Sequence, residues 1–143
     1  MNSIYPKWPV YVGWSETLKC RGMFASSDIK KGEVIEKCPL ILIKYEDERK
    51  KLESRPSGNI IDNYYYDWDD NNWCLPLGYA MLYNHSYQPN AEYVFDYTNE
   101  LLVYVAVTDI AKESEILVNY NGFPEDQNPI DSWFKEYDGR NIV

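Results

Sequence analysis

The only histidine of this chain lies in a polar run whose residue types could do chemistry. His85 stands in YNHSYQPN, residues 83–90, directly before Ser86 and after an apolar stretch. An imidazole and a hydroxyl suggest nucleophilic catalysis, but a Ser-His-Asp triad brings its nucleophile from elsewhere in the fold, and the sequence has no G-x-S-x-G motif. A hydrolase that uses His85 and Ser86 is therefore our third hypothesis. Taken alone, His85 is best explained as a loop residue that hydrogen-bonds to the backbone.

Three cysteines, Cys20, Cys38 and Cys74, are the other candidate reactive groups. They are odd in number and widely spaced, whereas zinc sites usually bring their ligands in close pairs such as CxxC. We expect neither a metal site nor a disulfide framework. The cysteines are interpreted as reduced, mostly buried side chains.

The charge of the chain limits its partners. Fourteen Lys and Arg against 23 Asp and Glu leave a net charge of −9, and the one basic cluster is RKK at residues 49–51. Direct nucleic-acid binding is disfavoured because it needs a concentrated basic surface. An acidic surface attracts a basic partner such as a Lys-rich tail, although acidity that only keeps the protein soluble explains the charge equally well.

The sequence shows no membrane or secretion signal. No apolar stretch is long enough to span a bilayer. The N-terminus, MNSIYPKWPVYVGW, lacks the basic region and apolar run of a signal peptide. We expect an intracellular protein, in the cytoplasm or the nucleus, that does not bind membranes.

The elements that must position these residues are mostly short strands. At 143 residues the chain is long enough for one domain with a buried core. Apolar runs bounded by turn residues predict the strands. The predicted regions are residues 10–14, 23–44 with a turn at Lys31-Gly32 and with Pro39 separating two apolar runs, an aromatic strand and polar turn at 63–73, a hairpin of 91–97 and 101–107 around Thr98-Asn99-Glu100, and 115–120.

Helix is expected in only two places. Residues 45–53, YEDERKKLE, place charges of opposite sign four residues apart. Residues 75–84 fit one or two helical turns ahead of the loop that carries His85. The fold class predicted from these patterns is a mainly-β single domain.

Three segments in one order carry more information than any single residue. They are KCRGMFASSDIKKGEVI at 19–35, YNHSYQPN at 83–90 and ESEILVNYNG at 113–122. Together they resemble the signature segments of the SET-domain family. The members of this family are S-adenosylmethionine-dependent protein lysine methyltransferases. The resemblance covers about residues 10–122, and its most specific part is N-H-S-x-x-P-N followed by a strand that ends in E-I-x-x-x-Y.

The resemblance implies a fold. A SET domain has several small sheets with short helices, and a C-terminal pseudoknot in which the chain is threaded near the catalytic tyrosine. Such threading is rare and periodicity does not indicate it. The implied organisation is a single domain, 1–143, with a core of about 10–122 and a closing segment at 123–143.

The resemblance also implies a pocket for S-adenosylmethionine. Its amino-acid head and adenine need backbone hydrogen-bonding groups and a side-chain amide, and a glycine lets the backbone approach closely. In the family the histidine acts mainly through its main chain and by ordering the loop, and not as a general base. The implied cofactor-binding residues are Arg21, Gly22, Met23, Asn84, His85 and Trp133.

Tyr120 matches the catalytic tyrosine of the family. Methyl transfer to an amine is an in-line displacement, so alignment and desolvation supply much of the rate. A low-dielectric channel lowers the pKa of the incoming ammonium, and aromatic walls suit its cationic tip. The expected channel residues are Phe123, Phe134 and one of the three tyrosines 64–66, for which we favour Tyr66.

The sequence also departs from the family pattern. Cys20 replaces the first glycine of the usual G-x-G, and Asn119 replaces the Asp or similar residue before the tyrosine. Tyr87 replaces the cysteine that in many members binds zinc with a Cys-rich tail, and this tail has no cysteine, so no metal is expected.

The first hypothesis is an enzyme that methylates lysine on a protein substrate with an exposed lysine, such as a basic histone-like tail. The second is a SET-like cofactor- or peptide-binding module with weak or no catalysis, which the two substitutions at Cys20 and Asn119 leave open.

Overall fold

The computed structural model describes residues 7–44, 46 and 64–130. These ranges contain nine strands and one short 3-10 helix, in agreement with the predicted mainly-β class. The strands are β1 (Val10–Ser15), β2 (Cys20–Ala25), β3 (Val34–Lys44), β4 (Tyr66–Asp69), β5 (Asn72–Pro76), β6 (Asn84–His85), β7 (Ala91–Asp96), β8 (Leu101–Ala106) and β9 (Glu115–Val118), and the 3-10 helix is Ala80–Leu82.

The strands form two sheets. One has the order β1-β2-β9-β6, in which β6 runs parallel to β9 and the other pairs are antiparallel. The other has the order β4-β5-β3-β8-β7 and is antiparallel throughout. Buried apolar side chains of both sheets, such as Met23, Ile35, Leu102 and Ile116, share one core.

The two apolar runs that Pro39 separates belong to one continuous strand, β3. The segment up to Pro39 pairs with β8, and the segment from Leu40 onward pairs with β5. Proline has no N–H to donate to a ladder, so it is tolerated where the pairing partner changes.

The predicted turns at Lys31-Gly32 and at residues 98–100 are confirmed. Gly32 adopts φ 87° in the turn before β3. At the β7–β8 hairpin Glu100 has φ 53°, and the Asp96 carboxylate accepts a hydrogen bond from the Asn99 backbone N–H at 3.0 Å.

The two predicted helical regions are described to different extents. Of the predicted helix at 45–53 only Glu46 is among the described residues, and it is helical. In the stretch 75–84, Leu75 and Pro76 instead belong to β5, and Gly78 at φ 73° precedes a helix of only three residues. No helix within the described ranges is both long and apolar enough to cross a membrane.

Asn90 holds the loop after β6 against β9. Its Nδ2 donates to the Glu115 carbonyl at 2.8 Å, and its Oδ1 accepts from the Leu117 N–H at 2.9 Å. The side-chain amide therefore acts as one more strand residue beyond the two-residue β6. Asn90, the last residue of the N-H-S-x-x-P-N motif, therefore helps to position the N-H-S residues that precede it.

The segment after β9 lies against the same loop. Gln127 Nε2 donates to the Tyr87 carbonyl at 3.0 Å, and the Ile130 N–H donates to the Tyr87 hydroxyl at 3.1 Å. Asn119 Nδ2 donates to the Asp126 carbonyl at 2.6 Å. These contacts place the residues after β9 beside the loop that follows His85, near Tyr120. Tyr87, at the position of the family's zinc cysteine, here ties the loop to the C-terminal segment.

Candidate active site

An aromatic cavity of about 670 Å³ lies beside the end of β9. Tyr120, two residues past β9, contributes to its wall. Two predicted channel residues, Tyr66 and Phe123, line the same cavity, and so do Tyr64 and Tyr65. The ring of Tyr66 packs edge-on against Tyr93 at 5.3 Å, whereas Phe123 remains 65% exposed at the rim.

Tyr120 is held at three atoms. Its N–H donates to His85 Nδ1 at 3.0 Å, and its hydroxyl donates to the Tyr83 carbonyl at 2.8 Å. Its own carbonyl accepts from the Tyr93 hydroxyl at 3.1 Å. The phenol oxygen is thereby fixed in the cavity, and since it already donates its proton to a carbonyl, it faces other groups as an acceptor.

His85 positions Tyr120 and has no geometry for a general base. The imidazole is buried, and because Nδ1 accepts a hydrogen bond, the proton of the neutral ring is on Nε2. Burial lowers the His85 pKa to about 4. Nε2 is buried without a hydrogen-bond partner among the described residues. Ser86 Oγ accepts from the Gln88 N–H at 3.0 Å and bonds to neither ring nitrogen of His85, so the geometry does not support the hydrolase hypothesis.

A second group of polar residues surrounds Asn84. We call this group the Asn84 cluster, and its members are Ser15, the Arg21 carbonyl, Gly22, Asn84 and Glu115. Asn84 Nδ2 donates to the Arg21 carbonyl at 3.0 Å and to Glu115 Oε1 at 2.9 Å. Ser15 Oγ donates to Glu115 Oε2 at 2.7 Å. A Cβ on Gly22 would lie 2.7 Å from Asn84 Nδ2 and closer still to Glu115 Oε1. Glycine is therefore required here because two side chains occupy the space above it.

The predicted cofactor residues take different places around this cluster. Gly22, Asn84 and the Arg21 main chain come together, while the Arg21 side chain is exposed. The Met23 side chain is fully buried in the core, so only its backbone can reach a ligand. The His85 side chain is behind Tyr120 rather than in the cluster.

Trp133 and Phe134 lie outside the described residues.

The two regions adjoin through consecutive residues. The Tyr83 carbonyl accepts the hydroxyl of Tyr120, and the next residue, Asn84, bonds to the backbone beside Gly22. Motifs separated by about sixty and thirty-five residues along the chain thus converge at the 3-10 helix and β6. This convergence is what a shared cofactor and substrate site requires.

Two buried residues behind the site escaped the sequence analysis. The Tyr83 hydroxyl donates to Glu36 Oε2 at 2.8 Å, and the Tyr79 N–H donates to Glu36 Oε1 at 3.0 Å. Burial, followed by the negative charge of Glu36, raises the pKa of the Tyr83 phenol. The carboxylate therefore anchors the segment that supplies the carbonyl for Tyr120.

A register shift explains why Glu36 was missed. Strict alternation would place Ile35 and Glu36 on opposite faces of β3. The pairing with β8 instead has an irregularity between Val34 and Glu36, and Ile35 and Glu36 are both buried. A charged residue inside the apolar run VIEKC was the only signal in the sequence.

Within residues 7–44, 46 and 64–130, no group of His, Cys, Asp or Glu could hold a metal ion. A histone-lysine N-methyltransferase of Schizosaccharomyces pombe, H3 lysine-37 specific, is 26% identical over 102 residues, which are 71% of this chain and 67% of that protein.

Solved structures have the same fold. A Plasmodium falciparum protein described as a candidate histone methyltransferase has a TM-score of 0.62 and 34% identity, covering 80% of this chain and 95% of that one. A chain of the Chaetomium thermophilum Polycomb Repressive Complex 2 bound to S-adenosylmethionine has a TM-score of 0.64 and covers 83% of this chain but 16% of its own. At 22% identity the second similarity bears on the fold alone. The SET domain family model matches residues 20–121, well over half of the chain, and this protein therefore belongs to the SET domain family.

Proposed function

We propose that this protein transfers a methyl group from S-adenosylmethionine to the side-chain amine of a lysine in a protein substrate. One observation carries the proposal: Tyr120, fixed by hydrogen bonds at three atoms, faces an aromatic cavity and bonds to the residue that precedes Asn84. Enzyme class and cofactor, as predicted from the three motifs, agree with membership of the SET domain family.

The Asn84 cluster has the chemistry to hold S-adenosylmethionine. That cofactor carries a positive sulfonium, an ammonium and a carboxylate, and when bound it supplies an electrophilic methyl group. The cluster offers the side-chain amide of Asn84 and main-chain groups next to a glycine. The Asn84 side chain and the main chains of Arg21, Gly22, Met23 and His85 would bind and orient the ligand.

The aromatic cavity suits the lysine. Tyr66, Tyr120 and Phe123 present ring surface for the aliphatic stem and attract its cationic tip. Removal of water lowers the pKa of the ammonium, so that a neutral amine becomes accessible. The Tyr120 oxygen, which donates to the Tyr83 carbonyl, can accept from the amine and hold it in line with the transferring methyl.

A basic segment, such as a histone tail, is the substrate we favour. Asp67 and Glu92 line the cavity, and no Lys or Arg appears in its wall among the described residues. The acidic net charge of −9 would attract such a partner. The Schizosaccharomyces pombe relative is named for lysine methylation of histone H3. A histone substrate would place the protein inside the cell, and nucleic acid would not be bound directly.

Transfer of labelled methyl groups tests the proposal. The purified protein is incubated with labelled S-adenosylmethionine and core histones, beside the Tyr120→Phe variant. We expect label on histone lysine with the native protein and its loss with the variant. Cofactor binding by calorimetry without transfer to histones or other basic proteins would instead support the binding module. No heat of binding would contradict both.

A further inference from the structure

The Asn84 cluster contains a carboxylate to which the proposed reaction gives no role. Both oxygens of Glu115 are engaged, with Oε2 accepting from Ser15 Oγ at 2.7 Å and Oε1 from Asn84 Nδ2 at 2.9 Å. Within the described ranges no Lys or Arg forms an ion pair with Glu115. Its charge is therefore met only by neutral donors, which makes each of these hydrogen bonds a strong one.

Glu115 determines how the Asn84 amide is turned. An ionised carboxylate and a backbone carbonyl can only accept hydrogen bonds. Because Glu115 Oε1 and the Arg21 carbonyl both lie within 3.0 Å of one end of the amide, that end must be the NH2 group. The reversed amide would bring its oxygen against two acceptors and leave one oxygen of the half-buried carboxylate without its donor.

This orientation points the Asn84 oxygen in the opposite direction. Oδ1 accepts a weak hydrogen bond from the Cys20 thiol at 3.6 Å. A carbonyl oxygen has a second lone pair, so it can also accept from an ammonium. Cys20, which replaces a family glycine, thus contacts the cluster without disturbing the amide.

From these contacts we infer that Glu115 is a positioning residue for S-adenosylmethionine, which turns the Asn84 oxygen toward the donor group of the bound amino-acid head. The inference rests on the proposed function. Glu115 acts through Asn84 and needs no contact with the ligand. The missing Cβ of Gly22 leaves space for both side chains.

Calorimetry of cofactor binding tests this role. Glu115→Ala removes the acceptor, and we expect the Kd for S-adenosylmethionine to rise about tenfold, the effect of losing a hydrogen bond to a charged group. Glu113→Ala is the matched control, because the one partner of this exposed carboxylate among the described residues is the Tyr11 hydroxyl at 2.7 Å. Its Kd should stay within about twofold of the native value. A Kd for Glu115→Ala equal to that of the control would overturn the inference.

The isosteric Glu115→Gln variant covers the case in which the alanine variant does not fold. One glutamine oxygen can still accept from Asn84 Nδ2, so most of the affinity should return. If Glu115→Gln folds normally but binds as weakly as Glu115→Ala, the orientation argument is wrong.

S-adenosylhomocysteine separates orientation from simple charge attraction. It has the same amino-acid head but no sulfonium charge. Equal losses of affinity for both ligands in Glu115→Ala support positioning through Asn84, and a loss confined to S-adenosylmethionine contradicts it. If the native protein binds neither ligand, the proposed function itself fails, whereas native binding with an unaffected Glu115→Ala variant refutes only this inference.

Discussion

The Asn84 cluster and the Tyr120 cavity adjoin at Tyr83 and Asn84, but different interactions hold them together. In the cluster, side chains from different strands exchange directional hydrogen bonds of 2.7 to 3.0 Å. In the cavity, rings pack edge-on at larger spacing, as Tyr66 does with Tyr93 at 5.3 Å and with Phe95 at 6.4 Å.

The difference separates two tasks. Hydrogen bonds discriminate between ligands by the positions of their donors and acceptors. Aromatic walls exclude water and contact an aliphatic chain without fixing its position along the channel. We therefore expect changes in the cluster to alter cofactor affinity and changes in the cavity to alter transfer.

The largest effect is expected for Tyr120→Phe. Loss of the hydroxyl removes the acceptor for the amine, and kcat should fall by about 10³-fold, the range of a positioned proton-transfer or orienting group. The Kd for S-adenosylmethionine should change less than about twofold, because the ring and the backbone bond to His85 remain. Tyr11→Phe, which removes an exposed hydroxyl on β1, is the control. A parallel fall in cofactor affinity would erase the proposed division between the two regions.

Acid should destabilise the folded protein through His85, which bonds to the backbone of Tyr120. The folded-state pKa of His85, about 4, lies below its ordinary 6.5. Between these values the unfolded chain binds a proton that the folded chain does not, so stability falls as the pH decreases from 6.5 toward 4, by about 3 kcal/mol in all. Urea unfolding across this range measures the slope. His85→Asn has no group that titrates there, and an unchanged slope in this variant would show that other residues are responsible.

Gly22→Ala should damage the cluster selectively. The added Cβ would lie 2.7 Å from Asn84 Nδ2, so the amide or Glu115 must move. We expect a stability loss of about 2 kcal/mol and a Kd for the cofactor roughly tenfold higher. Gly32→Ala is the matched control: nothing lies within 4 Å of its Cβ, and its φ of 87° accounts for a loss of about 1 kcal/mol. Equal cofactor affinities for the two variants would remove the steric argument.

The smallest effect is expected for Tyr87→Phe. It removes the hydroxyl that accepts from the Ile130 N–H at 3.1 Å, at a cost of about 1 kcal/mol in thermal unfolding experiments. Because Ile130 lines the cavity, the KM for the protein substrate should rise a few-fold. A fall in the affinity for S-adenosylmethionine, with an unchanged KM for the protein substrate, would show that Tyr87 supports the Asn84 cluster instead of the cavity.

Only the turns could be predicted from neighbouring residues. Gly32 and the hairpin at residues 98–100 follow ordinary turn chemistry, and the physical reason for each residue is contained within a few neighbours. The N-H-S-x-x-P-N run and Tyr120 were singled out by their resemblance to a family, because Asn84, Asn90 and Tyr120 bond to residues at least 25 positions away along the chain.

Other features depended on distant partners. The helix of three residues at Ala80–Leu82 is short because β5 pairs with β3 and takes Leu75 and Pro76 into a sheet. Glu36 is buried because of a register shift against β8. Neither event leaves a periodic pattern in the chain, since pairing partners are chosen by the tertiary fold.

By itself the sequence determined the family, the mainly-β class and the residue types available for binding and transfer. Only the tertiary structure decided that Glu115 turns the Asn84 amide, that His85 fixes Tyr120 and that the Tyr83 carbonyl receives its hydroxyl. The reason is physical: these hydrogen bonds join residues on separate strands or loops, and their 2.8 to 3.0 Å distances exist only once β6 has paired with β9.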